Sequence, residues 1–271
     1  PFEPEYFLKM APAYRDKLVY FPTIDSTNLE ARKRLRGPHG PREMVLVTDR
    51  QTAGRGRLNR TWEAPFASGL LCTLALPLAP LSLDRAYLYT ASVALSLLES
   101  AWREGGVELQ LKWPNDLLRD GRKCCGILAE IEHGLGPNRD ESWLALGFGL
   151  NTGLTEADFA AAGLTGRAAN VFPPGLTVDR EAFLAATLAT LENFRVQLAE
   201  DPETVRRAWS EKLVTLGKPV EVRNMGGTLQ LEGVAVGVDP NGGLQVRTAE
   251  GKLETVQAGD VSVRLAGGGY A

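Results

Sequence analysis

At Gly217 the pattern of this chain changes, and the change limits what it can fold into. From Lys218 to Leu265 there are five short β-type runs: Val220 to Arg223, Gly233 to Val238, Leu244 to Thr248, Leu253 to Gln257 and Val261 to Leu265. Gly-Gly, Pro-Asn-Gly-Gly and Glu-Gly turns separate them, which predicts a small all-β module closed as a barrel. Ahead of it the pattern is mixed. Met44 to Asp49, Leu70 to Leu76 and Val107 to Trp113 read as strands, and Arg85 to Trp102, Arg180 to Glu200 and Pro202 to Leu213 read as helices. The expectation is an α+β chain: residues 1–214 as a mixed sheet with flanking helices, and residues 215–271 as the β module, ending in a loose Gly267-Gly268-Gly269 tail.

The composition permits a core and excludes several functions. In 271 residues, 44% are apolar, as in globular proteins. Thirty basic against 33 acidic residues give a net charge of −3, so any positive site has to be local. Apolar runs such as Gly69 to Leu76 are far shorter than a membrane helix requires, and the N-terminus lacks a secretory pattern, which points to the cytosol. Cys72, Cys124 and Cys125 have no metal spacing, and His39 and His133 are far apart, so buried, inert thiols are expected rather than zinc or disulfides.

Gly126 to Glu132 and Trp143 to Asn151 flank His133 to Asp140, which is turn chemistry throughout, so an antiparallel hairpin is predicted. In its second strand Leu144, Leu146, Phe148 and Leu150 point one way. Ala145, Gly147, Gly149 and Asn151 point the other, because strand side chains alternate faces. A face of small residues leaves space that either a closely pressed helix or a flat ligand fills.

Between Gln51 and Trp62 lies Gly54-Arg55-Gly56-Arg57-Leu58-Asn59-Arg60. Glycines let a backbone approach a ligand closely, and guanidiniums present planar forks of donors, so the segment reads either as a solvated turn or as a cradle for phosphate or carboxylate. It lacks the third glycine of a dinucleotide fingerprint and the Lys-Ser or Lys-Thr of a Walker loop. Lys112 ends a strand in which Glu108 and Gln110 share its polar face, and Pro114-Asn115-Asp116 halts that strand. Thr27 to Glu30 has capping-box spacing, with Asp25 and Ser26 just before, so a helix starts there.

Five segments in order, Asp25-Ser26-Thr27-Asn28, Gln51 to Trp62, Lys112-Trp113-Pro114-Asn115-Asp116, Lys123 to Glu130 and Gly147-Phe148-Gly149-Leu150-Asn151, resemble the signature of biotin protein ligases. The resemblance spans residues 20–265. It implies a mixed sheet related to class II aminoacyl-tRNA synthetases and lipoate ligases, followed by an SH3-like barrel. Leu58-Asn59 stand where the family usually has Arg-Gly, and Cys124-Cys125 where it usually has Leu-Ala, which puts retention of the intermediate in question. Many bacterial relatives begin with a winged-helix DNA-binding domain. Only 25 residues precede Ser26 here, so the monofunctional form, without DNA binding, is expected.

The implied reaction joins the biotin carboxylate to the α-phosphate of ATP, giving biotinyl-5′-AMP and pyrophosphate. A lysine of biotin carboxyl carrier protein then takes the biotin, so no nucleophile of this chain is needed. Forcing two anions together requires fixed cations, which the resemblance assigns to Arg55, Arg57, Arg60, Lys112 and Mg²⁺. Lys112, Arg57 and Arg55 are thereby the expected catalytic groups. Ser26, Thr27, Asn28 and Gln51 are assigned to the ureido ring, although Ser26 and Thr27 also suit helix capping. Gly54, Gly56, Gly126 and Gly147 let biotin lie against backbone, and Trp62 closes the flap. Asn115 and Asn151 face the nucleotide together with Arg57, Arg60, Trp62 and Lys112. Asp116 is either a metal ligand or a turn residue. The resemblance leaves room for a homodimer. A lipoate or octanoate ligase is the neighbouring enzyme reading, and an RNA-binding module gripping phosphates is the non-catalytic one, which the acidic charge balance disfavours.

Overall fold

The computed structural model describes residues 1–58, 60–259 and 261–265; Asn59, Asp260 and residues 266–271, with the glycine tail, lie outside the described residues. A short helix α1 (Pro4–Met10) leads through β1 (Leu18–Phe21) and α2 (Thr27–Leu35) to β2 (Met44–Thr48) and β3 (Gly69–Pro77). Helix α3 (Tyr87–Gly105) is followed by β4 (Gln110–Lys112), β5 (Asp116–Arg119), β6 (Arg122–Leu135) and β7 (Glu141–Asn151). Three helices come next, α4 (Glu156–Ala161), α5 (Arg180–Glu200) and α6 (Pro202–Glu211). The chain then gives β8 (Pro219–Asn224), β9 (Leu229–Val238), β10 (Leu244–Arg247), β11 (Leu253–Val256) and β12 (Val261–Leu265).

Strands β1 to β7 make one sheet in the order β1-β2-β3-β7-β6-β5-β4, with β1 and β2 parallel and the remaining neighbours antiparallel. The last five strands form a second, antiparallel sheet in the order β11-β10-β9-β8-β12. The fold is thus the expected α+β, a mixed sheet with helices and a C-terminal antiparallel sheet. The β6–β7 hairpin turns through Gly134 and Gly136, whose φ values of 71° and 78° are accessible mainly to glycine.

The alternation along β7 separates two layers. Leu144, Leu146, Phe148 and Leu150 join the main core with α3 and α5, whereas Ala145 packs with Ala31 and Leu35 of α2 on the opposite face. Helix α2 crosses that face against β2, β3, β6 and β7. Its cap differs from the expected box: Ser26 is the N-cap and accepts from Leu29 N at 3.5 Å, while Glu30 pairs with Arg34 at 2.6 Å. The predicted strand Val107 to Trp113 shrinks to Gln110–Lys112. Elements α1, β1, β5 and α4 are too short for their patterns to stand out in the sequence.

The three cysteines are buried in the main core, and burial pushes their thiols up, that of Cys124 to about 12, so they are inert as expected.

Candidate active site

Register along β7 sets the floor of a large cavity. Gly147 lies between Thr73 of β3 and Leu128 of β6, and Gly149 lies between Leu71 and Gly126. A methyl group on Gly147 would overlap Asn28 Oδ1; one on Gly149 would lie 2.6 Å from the Trp62 indole nitrogen. Of the two fillers considered for the small-residue face, the helix is present, and Trp62 covers Gly149. Helix α2 presses on Ala145 and Gly147, and beyond it a cavity of about 1540 Å³ opens over Gly126 and Gly149 under the Trp62 ring.

The Gly/Arg segment is a hydrogen-bonded hairpin rather than an open loop. Trp62 N donates to Gly54 O at 2.9 Å, Gly56 N donates to Arg60 O at 2.7 Å, and Arg55 bridges Thr61. Gly54 is obligatory there because a side chain would overlap the Trp62 carbonyl. Of the two family departures, Leu58 takes a positive φ of 57°, and Asn59 lies outside the described residues. The hairpin brings Trp62 onto the floor, where its indole N–H is buried without a partner among the described residues.

The three arginines diverge. Arg55 donates to Glu130 Oε1 of β6 at 3.1 Å. Arg57 donates to Asn115 Oδ1 at 3.1 Å, and its other nitrogen reaches the Ala258 and Gly259 carbonyls of the C-terminal sheet, the latter at 3.2 Å. Arg60 is exposed at the rim.

Lys112 is the largest departure from the sequence picture. Alternation put it on a polar strand face, yet it is only 6% exposed while Gln110 remains exposed. Desolvation pulls its ammonium down to about 8, partly countered by Asp116, with Lys123, Arg264 and Arg60 adding repulsion. The burial comes from the chain that follows: Val214 N donates to Leu111 O at 2.9 Å, Trp113 N to Thr215 Oγ1 at 3.1 Å and the Trp113 indole to Gly242 O at 3.0 Å. The Lys112 strand is thus clamped by the entry to the C-terminal module.

At the other end of the floor the side chains are polar and interlocked. Gln51 Oε1 accepts from Thr27 N at 2.9 Å and lies 3.1 Å from Thr27 Oγ1. Thr73 Oγ1 stands 2.8 Å from Thr27 Oγ1 and 2.7 Å from Asn28 Oδ1. Ser26, Thr27, Asn28 and Gln51 all line the cavity. Asn28, however, has both ends of its amide engaged by protein, its nitrogen donating to Leu128 O at 3.2 Å and Glu130 Oε2 at 3.0 Å. Asn28 thus braces the wall from within the cavity lining.

Asp116 is held in an ion pair. Its Oδ1 lies 2.6 Å from Lys123 Nζ, and among the described residues no group of three His, Cys, Asp or Glu is placed to hold a metal. Asn115 Nδ2 donates to Ile127 O at 2.6 Å, and Asn151 Nδ2 donates to Ala169 O at 3.1 Å; both line the cavity. Among the described residues, four cavity cations were not singled out in the sequence: Arg50, Lys123, Arg167 and Arg264. Lys123 stands 5.6 Å from the centre of the Trp62 ring, and Arg264 of β12 closes the side. Lys123 lies inside a quoted segment, but nothing local marks Arg264.

A half-open cavity with an apolar floor, a polar pocket at one end and cations at the other suits a small acid joined to a phosphate. The model of the Biotin/lipoate A/B protein ligase family matches residues 20–134, and that of the Biotin protein ligase C terminal domain matches residues 215–264. The biotin--[acetyl-CoA-carboxylase] ligase of Paracoccus denitrificans is 34% identical over 241 residues, covering 88% of this chain and 96% of the relative. The bifunctional ligase/repressor BirA of Bacillus subtilis is 27% identical over 91% of this chain and 74% of its own length. Among solved structures, the biotin protein ligase from Aquifex aeolicus in complex with biotin and ATP superposes with a TM-score of 0.72 at 26% identity, over 92% of this chain and 99% of that one. Glycine floor, arginine hairpin, strand-end lysine and C-terminal sheet thus occur together in a chain that belongs to the biotin protein ligase family.

Proposed function

We propose that this chain activates biotin with ATP as biotinyl-5′-AMP, releasing pyrophosphate, and then passes biotin to a lysine of biotin carboxyl carrier protein. The observation that carries this reading is the buried Lys112 at one end of a glycine floor whose other end is the Thr27–Gln51 pocket. The ureido ring sits at that pocket, where hydroxyl and amide groups match one carbonyl acceptor and two N–H donors. The bicyclic ring and valeryl chain lie along Gly126, Gly147 and Gly149 beneath Trp62, and the carboxylate points at Lys112.

The first step brings a carboxylate against a triphosphate. An ammonium held out of water interacts more strongly with the developing charge than a solvated one, and it requires no reorganisation as the bond forms. Lys112 fills that role, with Arg55, Arg57 and Arg60 around the phosphates, and Asn115 and Asn151 toward the nucleotide. The Trp62 hairpin keeps water from the mixed anhydride. In the second step Lys112 stabilises the departing AMP.

Mg²⁺ fits this site as a companion of ATP: Asp116 is paired with Lys123, and among the described residues no group of three His, Cys, Asp or Glu is placed to hold a metal by itself. When bound it would neutralise phosphate charge, and Asp116 would be the residue that holds it. In this reading residues 1–214 form the biotin- and ATP-binding unit, residues 215–271 form the C-terminal module, whose Val261 to Arg264 wall the cavity, and the enzyme meets its carrier in the cytoplasm. Among the described residues no helix is long and apolar enough to cross a membrane.

Incubation with Mg-ATP and either biotin or lipoate, followed by mass spectrometry, tests the assignment. Biotinyl-AMP formed in preference to lipoyl-AMP is the expected product. A lipoyl adenylate alone, or no adenylate with either acid, would refute it.

A further inference from the structure

Three side chains from two segments, the hairpin and α2, converge on one carboxylate that belongs to neither the floor nor the flap. Glu130 Oε1 accepts from Arg55 Nη2 of the hairpin at 3.1 Å and from Arg32 Nη1 of α2 at 2.6 Å, and Glu130 Oε2 accepts from Asn28 Nδ2 at 3.0 Å. Asn28 in turn contacts Thr73, which stands 2.8 Å from Thr27. Two residues further along β6, Glu132 pairs with Arg32 and Arg36 and, among the described residues, makes no hydrogen bond or ion pair with the hairpin. Strand geometry explains the division of labour, because Glu130 and Glu132 share a face of β6 and only Glu130 lies opposite Arg55.

We propose that Glu130 is the positioning residue of the flap: its carboxylate holds Arg55, and with it the hairpin, over the floor while Asn28 couples the same carboxylate to the Thr27–Gln51 end. Arg32 presets the carboxylate, since a group already fixed loses less freedom when a second arginine docks. The latch itself is a property of the ligand-free protein. Its consequence for the intermediate rests on the biotin-activating reading.

Limited trypsin digestion without ligands reads the latch directly, because cutting after Arg57 requires the hairpin to open. Glu130→Gln keeps the shape and still accepts from Asn28 but loses the charge that holds Arg55. Cutting after Arg57 should accelerate roughly two- to five-fold, the range for a partly exposed ion pair. Arg55→Gln should accelerate it equally, and the double variant should add nothing. Glu132→Gln, which disturbs the same α2–β6 ladder but no bond to the hairpin, should cut at the wild-type rate.

An unchanged rate in Glu130→Gln, or equal acceleration in Glu132→Gln, would overturn the latch. In turnover, Glu130→Gln should raise the KM for biotin and the escape of biotinyl-AMP by more than it lowers kcat for adenylation; a lower kcat at constant KM would count against it. If the wild-type protein forms no biotinyl-AMP, the functional reading fails while the digestion still decides the latch.

Discussion

The Trp113 indole donates to the carbonyl of Gly242, 3.0 Å away and 129 residues later in the chain, fastening the residue next to Lys112 to the β9–β10 turn of the C-terminal sheet. Trp113 is 2% exposed, and the same turn is held by the Tyr87 hydroxyl, which donates to Pro240 O at 3.0 Å. The C-terminal module therefore does more than follow the mixed sheet; it fixes the strand that carries the central cation.

Replacing Trp113 by Phe should weaken both domain docking and chemistry. The Gly242 carbonyl would be left buried without its donor, which destabilises by about 1–3 kcal/mol, and the shift of Lys112 should slow adenylation about ten-fold or more. Differential scanning calorimetry and pyrophosphate release check the two parts. A loss of melting temperature with unchanged pyrophosphate release would separate docking from catalysis.

Lys112 trades stability for function, and the sign is testable. Its folded value of about 8 lies below the ordinary 10.5, so between those values the unfolded chain binds more protons and stability rises with pH. Below about pH 8 the penalty of the buried ammonium is fully present, on the order of 3 kcal/mol. Lys112→Met should therefore stabilise the fold in urea at pH 7, remove the rise toward pH 10 and abolish adenylation. In the native enzyme kcat/KM should fall as pH climbs through about 8, where the free site loses its charge.

The glycine floor should show graded sensitivity to a single methyl. Gly147→Ala meets Asn28, whose amide is locked by Leu128 and Glu130, so about 1–3 kcal/mol of stability should be lost. Gly149→Ala meets Trp62 on the hairpin, which can swing aside, so the loss falls mainly on biotin affinity. Gly126→Ala approaches the far end of Lys123 at 3.1 Å and should be mildest. Thermal melts and biotin titrations of the three variants give the order; equal losses would contradict it.

Arg57→Gly removes a guanidinium that joins the hairpin to Asn115 and to the Ala258–Gly259 carbonyls. Biotinyl-AMP should leave faster, as seen by stopped-flow fluorescence, with the KM for ATP raised. An unchanged off-rate would show that the hairpin stays closed without this tie.

The alternation of Leu144 to Asn151, the turn residues between β6 and β7 and the change of pattern at Gly217 were legible because each is local: a period of two, or a glycine at positive φ, acts within a few residues. They determined the sheet, the floor and the C-terminal β module, and with the ordered segments they led to the family. Only the tertiary structure decided that Lys112 is buried, that Asn28 donates to Glu130, that Asp116 pairs with Lys123, and that Glu130 receives Arg55. The clamp beside Lys112 joins residues 129 apart, and Asn28 and Glu130 are 102 apart. Periodicity tells a side chain which face it takes, but desolvation and charge pairing are set by what the rest of the chain places over that face.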